Sequence, residues 1–251
     1  LTTEGILMKS SNIGAAKIGL KLGAERLYDY AANYGFGERT GIPLPGEVAG
    51  ILHPVKDWSK VSIVQIPMGH GVAVTRLQMV MAMAAIANHG CLMQPMLVKC
   101  LEDRDGNVVE QYAPQRVRQV ISDETASEMV EALKTVVSPE GTAPKAALKD
   151  YVAAGKTGTA QKVENGKYVH NKYVASFIGF FPADNPQVCI SVVMDDPKEG
   201  YYGGEACGPV FREIAERCAS YLNIPPDLNL PQPGTSQMAA AARTHPPLQN
   251  P

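Results

Sequence analysis

Four adjacent residues of one predicted strand have side chains that could bind an anion. The stretch YVAAGKTGTAQK, residues 151–162, opens with an alternating apolar pattern and then places Lys156, Thr157, Gly158 and Thr159 in a row. Two hydroxyls on one face can hold a carboxylate, and a glycine lets a second chain come close. Lys156 points to the opposite face and needs strand twist to reach the same cleft. We therefore predict that the anionic end of an extended peptide lies along the free edge of this strand.

A second polar group begins a predicted helix. The sequence KSSN brings Ser10, Ser11 and Asn12 to the start of an apolar-periodic segment. Serine and asparagine are preferred helix caps, so capping alone accounts for these residue types. Their functional interpretation therefore depends on the strand motif that occurs with them.

Together, the two groups resemble the S-x-N and K-T-G signatures of the penicillin-interacting enzymes, in the family's order along the chain. The resemblance extends over roughly residues 1 to 225 to the transpeptidase domain of class B penicillin-binding proteins, particularly the cell-division type. It is carried by KSSNIGAAKIGLKLGAERLYDYAANYGFGERTGIPLPGE, GHGVAVTRLQMVMAMAAIANHG, AGKTGTAQK, SFIGFFPADNP and YYGGEACGPVFREI. It implies the α+β fold of β-lactamases and D,D-peptidases, with an antiparallel sheet flanked by helices.

The resemblance also implies serine acyl transfer on peptidoglycan stem peptides. In the family, a serine attacks the D-Ala-D-Ala bond of a donor peptide, releases D-alanine and passes the acyl group to an amine of a neighbouring strand. β-Lactams inhibit by trapping the acyl-enzyme. This chemistry requires an activated hydroxyl, a nearby base and preorganised donors at the developing oxyanion. No cofactor is expected.

The same resemblance implies a role for each motif residue. Ser10, Asn12 and Lys156 would form the catalytic network that relays protons and positions the substrate. The backbone N–H of Thr159 would supply half of the oxyanion hole, while the two threonine hydroxyls would bind the terminal carboxylate. The substrate-binding set comprises Thr157, Gly158 and Thr159.

One family signature is absent from the 251 residues: no serine is followed three positions later by lysine. The nearest stretches, Thr142-Ala-Pro-Lys145 and Thr159-Ala-Gln-Lys162, have threonine and follow Ser10 instead of preceding it. We expect the nucleophile, the base lysine and the first strands of the sheet before Leu1. Loss of a nucleophile can lower kcat by ~10⁶, so this chain alone is expected not to acylate. Without its first strands, the sheet is expected to have an open edge.

Composition excludes several other classes of protein. Apolar residues make up 45% and charged residues 19% of the chain, as in ordinary globular proteins. A formal net charge of −2, a pI near 6.2 and the lack of any basic run argue against nucleic acid as a partner. The five cysteines and five histidines lack the spacing of a zinc site, so no metal is expected.

Further predicted elements surround the motifs. Two short helices join at Gly23, the first beginning near Asn12 and the second ending at Gly35 or Gly37. A helix runs from a Thr75–Gln78 capping box to Gly90, and a hairpin with a type I′ turn at Asp105-Gly106 follows. Next come a helix capped by Ser122 and a three-strand meander over 151–197. The last helix covers 208–222, and its covered side carries Phe211, Ile214, Ala215, Cys218 and Leu222. Residues 226–251 are expected to be a disordered Pro-rich tail.

Two other functions remain open on the sequence alone. One is a non-catalytic stem-peptide-binding or scaffolding module, which a start codon close to Leu1 without an upstream Ser-x-x-Lys would favour. The other is a serine β-lactamase or D,D-carboxypeptidase of the same fold. The cell-division resemblance implies a position on the periplasmic side of the cytoplasmic membrane, anchored by a segment before Leu1. It also implies stem peptides, inhibitory β-lactams, and membrane proteins of division and wall synthesis as partners.

Overall fold

The computed structural model describes residues 1–164, 167–198 and 200–228. Of the predicted tail at 226–251, residues 229–251 lie outside this description. The helices are α1 Thr3–Met8, α2 Asn12–Leu22, α3 Ala24–Asn33, α4 Ser62–Gln65, α5 Arg76–Ala87, α6 Asp123–Val137, α7 Gly203–Ala206 and α8 Gly208–Leu222. The strands are β1 Ile51–Leu52, β2 Val72–Ala73, β3 Cys91–Met93, β4 Cys100–Glu102, β5 Val108–Gln111, β6 Arg116–Gln119, β7 Ala154–Glu164, β8 Lys167–Phe181 and β9 Val188–Asp195.

The principal sheet is the predicted antiparallel meander, in the order β7-β8-β9. Lys156 pairs with Ile178 and Gly158 with Ser176, so these four residues share one face. Within the described part of the chain β9 pairs only with β8. The motif strand β7 therefore lies at one edge of the sheet and an unpaired strand lies at the other.

Helices cover both faces of this sheet. On the face that carries Thr157, the ring of Phe177 packs at 4.8 Å against Phe211 of α8. On the opposite face, Ile178 and Phe180 pack with Met83 of α5 and with Leu133 of α6. The two-sided covering explains the nearly continuous apolar sequence of the second half of β8 and confirms the α+β architecture.

Predicted helix starts are confirmed by their caps. The hydroxyl of Thr75 accepts from the Gln78 N–H, and the Gln78 side chain accepts from the Thr75 N–H, which is a complete capping box. Ser122 accepts from the Thr125 N–H at the start of α6. Gly23, with φ of 86°, separates α2 from α3 as predicted. The pattern does not predict α1, whose six residues are too few to show helical periodicity.

Two finer predictions are wrong. The hairpin β4–β5 is present, but only Gly106 has a positive φ in its turn, and a type I′ turn requires two such residues. On α8 the covered side includes Ala219, whereas Ile214 and Leu222 are 38% and 54% exposed. Helical spacing identifies a stripe of residues, but the extent of the covering elements decides which of them are buried.

Candidate active site

The two motifs meet at one hydrogen bond. The ammonium of Lys156 donates to the hydroxyl of Ser10 over 2.8 Å. Ser11 performs the capping, since its hydroxyl accepts from the Gly14 N–H at 3.2 Å. Ser10 is therefore free of the helix, and its left-handed φ of 52° marks the turn between α1 and α2. Non-glycine residues with positive φ are uncommon and occur often at functional sites.

The Lys156 ammonium contacts Thr157, although the two side chains leave β7 on opposite faces. Its ammonium also lies 3.2 Å from the carbonyl oxygen and 3.3 Å from the hydroxyl of Thr157. The long lysine side chain thus bends along the free edge of β7, which answers how residues on opposite faces of the strand share one cleft. Sequence alternation alone did not predict this contact.

Within the part of the chain that the structure describes, the ammonium of Lys156 has no carboxylate as a hydrogen-bond partner. Among the described residues its ammonium bonds only to neutral oxygens, and no carboxylate lies within 4.0 Å of it. Burial lowers the pKa of Lys156 from 10.5 to about 8, because a charged amine is poorly solvated there. A partly buried ammonium without a carboxylate partner favours binding of an anion from solution.

Each motif threonine has its hydroxyl held by a neighbour. The Thr157 Oγ1 atom lies 3.0 Å from the Oγ1 atom of Thr142, in the loop after α6. The exposed Thr159 accepts a hydrogen bond of 3.0 Å from the backbone N–H of Gly203. Because that bond uses an oxygen lone pair, the hydroxyl hydrogen of Thr159 stays available to a ligand.

Packing against backbone requires a glycine at position 203 of this edge. A Cβ atom added to Gly203 would meet the carbonyl oxygens of Ser176 and Gly158, and one added to Gly158 would meet the Ser176 side chain. At Gly158 the close neighbour is the Ser176 side chain of β8, so its role in the approach of a substrate stays a prediction. Gly203 seats the start of α7 directly on the motif strand.

Asn12 is the predicted site residue that the structure does not connect to the others. It is the first residue of α2 and is exposed. Its side chain makes no hydrogen bond with any described residue, in contrast to Ser10 and Lys156. Its assignment to the catalytic network stays a prediction.

Sequence reasoning missed an aromatic stack beside the motif strand. The rings of Tyr173 and Tyr201 stack with centroids 4.4 Å apart, and Tyr202 continues the stack at 4.3 Å from Tyr201. Tyr201 and Tyr202 directly precede Gly203, which contacts Thr159. Their rings are partly exposed, so the stack offers apolar surface to a ligand bound at Thr159. The doubled tyrosine before Gly203-Gly204 is the only local signal for it.

A groove of about 490 Å³ opens on the sheet face that carries Lys156 and Gly158. Its floor is formed by side chains of β8 and β9, and its wall by the first turn of α5. The lining residues are Val74, Thr75, Arg76, Met79, Val174, Ser176, Ile178, Ser191 and Val193. Such a groove can accept another chain segment or a peptide.

Neither a metal site nor a membrane-spanning helix is found in the described ranges. Residues 1–164, 167–198 and 200–228 hold no group of three His, Cys, Asp or Glu side chains placed to bind a metal ion. None of their helices has the length and apolarity needed to cross a bilayer.

Known proteins resemble this chain over most of its length. Residues 1–216 match the family described as "Penicillin binding protein transpeptidase domain". Penicillin-binding protein PbpB of Mycolicibacterium smegmatis is 38% identical over 234 residues, covering 89% of this chain and 36% of the relative. The probable peptidoglycan D,D-transpeptidase PenA of Neisseria gonorrhoeae is 36% identical over 227 residues, covering 90% and 37%. The chain thus spans about a third of the length of each relative.

Solved structures agree with the sequence matches. The chain superposes with a TM-score of 0.83 on penicillin-binding protein 3 of Mycobacterium tuberculosis in complex with aztreonam, at 37% identity. That match covers 92% of this chain and 53% of the other. The transpeptidase domain of Burkholderia pseudomallei penicillin-binding protein 3 superposes with a TM-score of 0.81 at 36% identity, covering 91% and 67%.

Proposed function

The chain belongs to the penicillin-binding protein transpeptidase family, and from this premise we propose that it serves a serine D,D-transpeptidase that cross-links peptidoglycan stem peptides. The relative PenA is named a probable peptidoglycan D,D-transpeptidase. In this proposal, the terminal carboxylate of a stem peptide binds at Thr157, Thr159 and Lys156, along the free edge of β7. The proton relay runs through Ser10 and Lys156.

One observation carries the proposal. Lys156 has a partly buried ammonium that bonds to Ser10 and Thr157 and lacks a carboxylate partner among the described residues. A purely structural lysine at this depth would be expected to have an acidic partner or to be replaced by an apolar residue. An anionic substrate supplies the missing charge and explains why an ammonium is kept beside a serine.

The acyl-accepting hydroxyl must come from a Ser-x-x-Lys segment, which the 251 residues do not contain. We propose that this segment, in a form extended before Leu1, occupies the groove between α5 and the sheet face that carries Lys156. The floor of the groove carries Val174, Ile178 and Val193 beside two serines, and it includes the strand positions that pair with Lys156 and Gly158. A helix placed there could bring a serine to the edge of β7.

The setting of the reaction is part of the same proposal. β-Lactams would act as inhibitors of this chain's extended form, because the similar penicillin-binding protein 3 of Mycobacterium tuberculosis forms a complex with aztreonam. The cell-division resemblance favours a role in septal wall synthesis, on the periplasmic side of the cytoplasmic membrane. Membrane proteins of division and wall synthesis would then be its partners.

The test is covalent labelling by a penicillin, read by intact mass. We would compare residues 1–251 with a form extended at the N-terminus to include Ser-x-x-Lys. We expect one penicilloyl adduct on the extended form and none on residues 1–251, because the nucleophile is a serine that the shorter chain lacks. An adduct on residues 1–251 would place the nucleophile within them and overturn the roles assigned here.

A stem-peptide-binding module without catalysis is the second candidate. The observation in its favour is that the Ser10–Lys156–Thr157 contacts form within a chain that has no Ser-x-x-Lys. No adduct on either form, together with saturable binding of a D-Ala-D-Ala peptide, would support it.

A further inference from the structure

One loop contacts both motifs at once. Residues 138–143, here called the strap loop, follow α6 and lie between the Ser10 turn and β7. The ammonium of Lys9 donates to the Glu140 carbonyl oxygen over 2.6 Å. Two residues further on, the Thr142 hydroxyl lies 3.0 Å from that of Thr157. With the bond from Lys156 to Ser10, these contacts close a ring that joins α1, the strap loop and β7.

The strap loop is anchored on the end of α6. The Ala143 N–H donates to the Val136 carbonyl oxygen at 2.9 Å, and the Ser138 hydroxyl donates to the Thr135 carbonyl oxygen at 2.8 Å. A Cβ atom on Gly141 would collide with both carbonyl groups, so the loop can pack this closely only with glycine there. Thr142 is therefore held from behind by a helix, as a positioning group must be.

Thr142 also contacts the element that holds the second motif threonine. A Cβ atom on Gly204 would collide with the Thr142 carbonyl oxygen, so α7 lies directly on the strap loop. The adjacent Gly203 N–H binds the Thr159 hydroxyl. Thr142 thus contacts the Thr157 hydroxyl directly, and it packs against the helix α7 whose first residue binds the Thr159 hydroxyl.

The number of hydrogens on Thr157 decides what this contact does. A threonine hydroxyl has one hydrogen and two lone pairs. The Lys156 ammonium, 3.3 Å away, has only hydrogens to give, so Thr157 accepts from it. If Thr142 also donates to Thr157, the single hydrogen of Thr157 is left to point at a substrate carboxylate.

We propose that Thr142 is a positioning residue that donates its hydroxyl hydrogen to Thr157 and so directs the Thr157 hydrogen at the substrate carboxylate. This inference rests on the proposed function, because it assigns a residue to the same binding step. Thr142 itself need not touch the substrate. Lys9 fixes the other end of the strap loop and thereby the distance between Ser10 and Lys156.

The test uses Thr142→Val, which keeps the shape and removes the hydroxyl, and Thr142→Ser, which restores it. In the N-terminally extended form we would measure the dissociation constant and the acylation rate constant for a penicillin and for its methyl ester. Thr142→Val should weaken binding of the free carboxylate about tenfold, as expected when a hydrogen bond to a charged group is misdirected. The methyl ester should bind both forms alike, and Thr142→Ser should recover most of the loss.

Thr135→Val is the matched control, because the Thr135 hydroxyl donates only to the Ala132 carbonyl of its own helix. It should change neither constant. Equal losses for the acid and the ester in Thr142→Val would make Thr142 merely structural and would overturn the inference, as would no loss at all. If the unsubstituted extended form is not acylated, the proposed function fails separately. Titration of residues 1–251 with D-Ala-D-Ala, followed by NMR, then decides whether Thr142→Val still weakens carboxylate binding.

Discussion

The Lys156 ammonium and the Ser10 hydroxyl lie 2.8 Å apart although 146 positions separate them along the chain. The left-handed turn at Ser10 and the free edge of β7 both contribute to this contact. Since Ser11 takes the role of helix cap, the two adjacent serines have separable functions. This separation allows the site to be tested with neighbouring substitutions.

Ser10→Ala should lower mainly the acylation rate, whereas Ser11→Ala should lower mainly the stability of the fold. Without the Ser10 hydroxyl the proton relay is broken, and acylation of the extended form by a penicillin should slow by ~10² or more. Ser11→Ala should lower the free energy of unfolding by ~1 kcal/mol through loss of the α2 cap, with little effect on acylation. Stopped-flow acylation and urea unfolding measure the two quantities. Equal acylation losses in both variants would contradict the division of roles.

The lowered pKa of Lys156 predicts a pH dependence of stability. The folded value is about 8, whereas the unfolded chain keeps a value near 10.5. Between these values the unfolded state binds the extra proton, so this group stabilises the fold progressively as the pH rises from about 8 to 10.5. The free energy of unfolding of the unsubstituted protein minus that of Lys156→Met should therefore rise across this range and stay level between pH 6 and 7.

The same titration predicts a loss of anion affinity at alkaline pH. Lys156 carries its charge below a pH of about 8 and is neutral above it. Binding of a D-Ala-D-Ala peptide should weaken as the pH rises from 7 to 9, and Lys156→Met should remove this dependence. Isothermal titration calorimetry at several pH values measures it. An affinity that stays constant up to pH 9 would mean that Lys156 does not bind the carboxylate.

Gly203→Ala should damage the site through the backbone. The added methyl group would collide with the carbonyl oxygens of Ser176 and Gly158, and such overpacking costs ~1–3 kcal/mol. Relief of the collision moves α7 off β7 and removes the bond to Thr159. We expect both stability and penicillin acylation to fall in the extended form.

Gly106→Ala provides the comparison for this variant. A methyl group there meets nothing within 4 Å, but the φ of 84° imposes ~1 kcal/mol of backbone strain. We expect a small stability loss in the β4–β5 hairpin and unchanged acylation. If Gly106→Ala impaired acylation as much as Gly203→Ala did, a general effect of destabilisation would explain both variants.

Gln78→Leu should be among the most destabilising single substitutions in residues 1–150, the part of the chain before the principal sheet. This side chain is 1% exposed, and the two hydrogens of its amide nitrogen reach the carbonyl oxygens of Glu38 and Ala49 at 2.7 Å, with the Gly35 carbonyl oxygen at 3.2 Å. Leucine would leave these acceptors without a donor and remove half of the capping box, a loss of ~2–4 kcal/mol. Urea unfolding measures it. Gln111→Leu should cost less, because Gln111 is exposed and water can replace the bonds that its amide donates to the Lys99 and Tyr112 carbonyl oxygens.

Local patterns predicted the longer helices and the strands of the principal sheet. The Thr75 capping box, the cap at Ser122 and the break at Gly23 are each set by residues within one helical turn, and all three occur as predicted. Alternation and apolar runs likewise identified the β7-β8-β9 meander. The signature residues were recognisable because their spacing along the chain is local. The short helix α1 was not predicted, because tertiary contacts with α6 stabilise it and no local pattern marks it.

Only the tertiary structure decided which distant residues meet. Alternation placed Lys156 and Thr157 on opposite faces, yet the bend of a long side chain along a free strand edge joins them. No local pattern marks Thr142 as the partner of Thr157 or Lys9 as the partner of Glu140, because those contacts join segments that are far apart in sequence. Sequence by itself therefore determined the longer elements and the motif residues. The hydrogen-bond network was decided by packing, because a hydrogen bond depends on distances that only the folded chain sets.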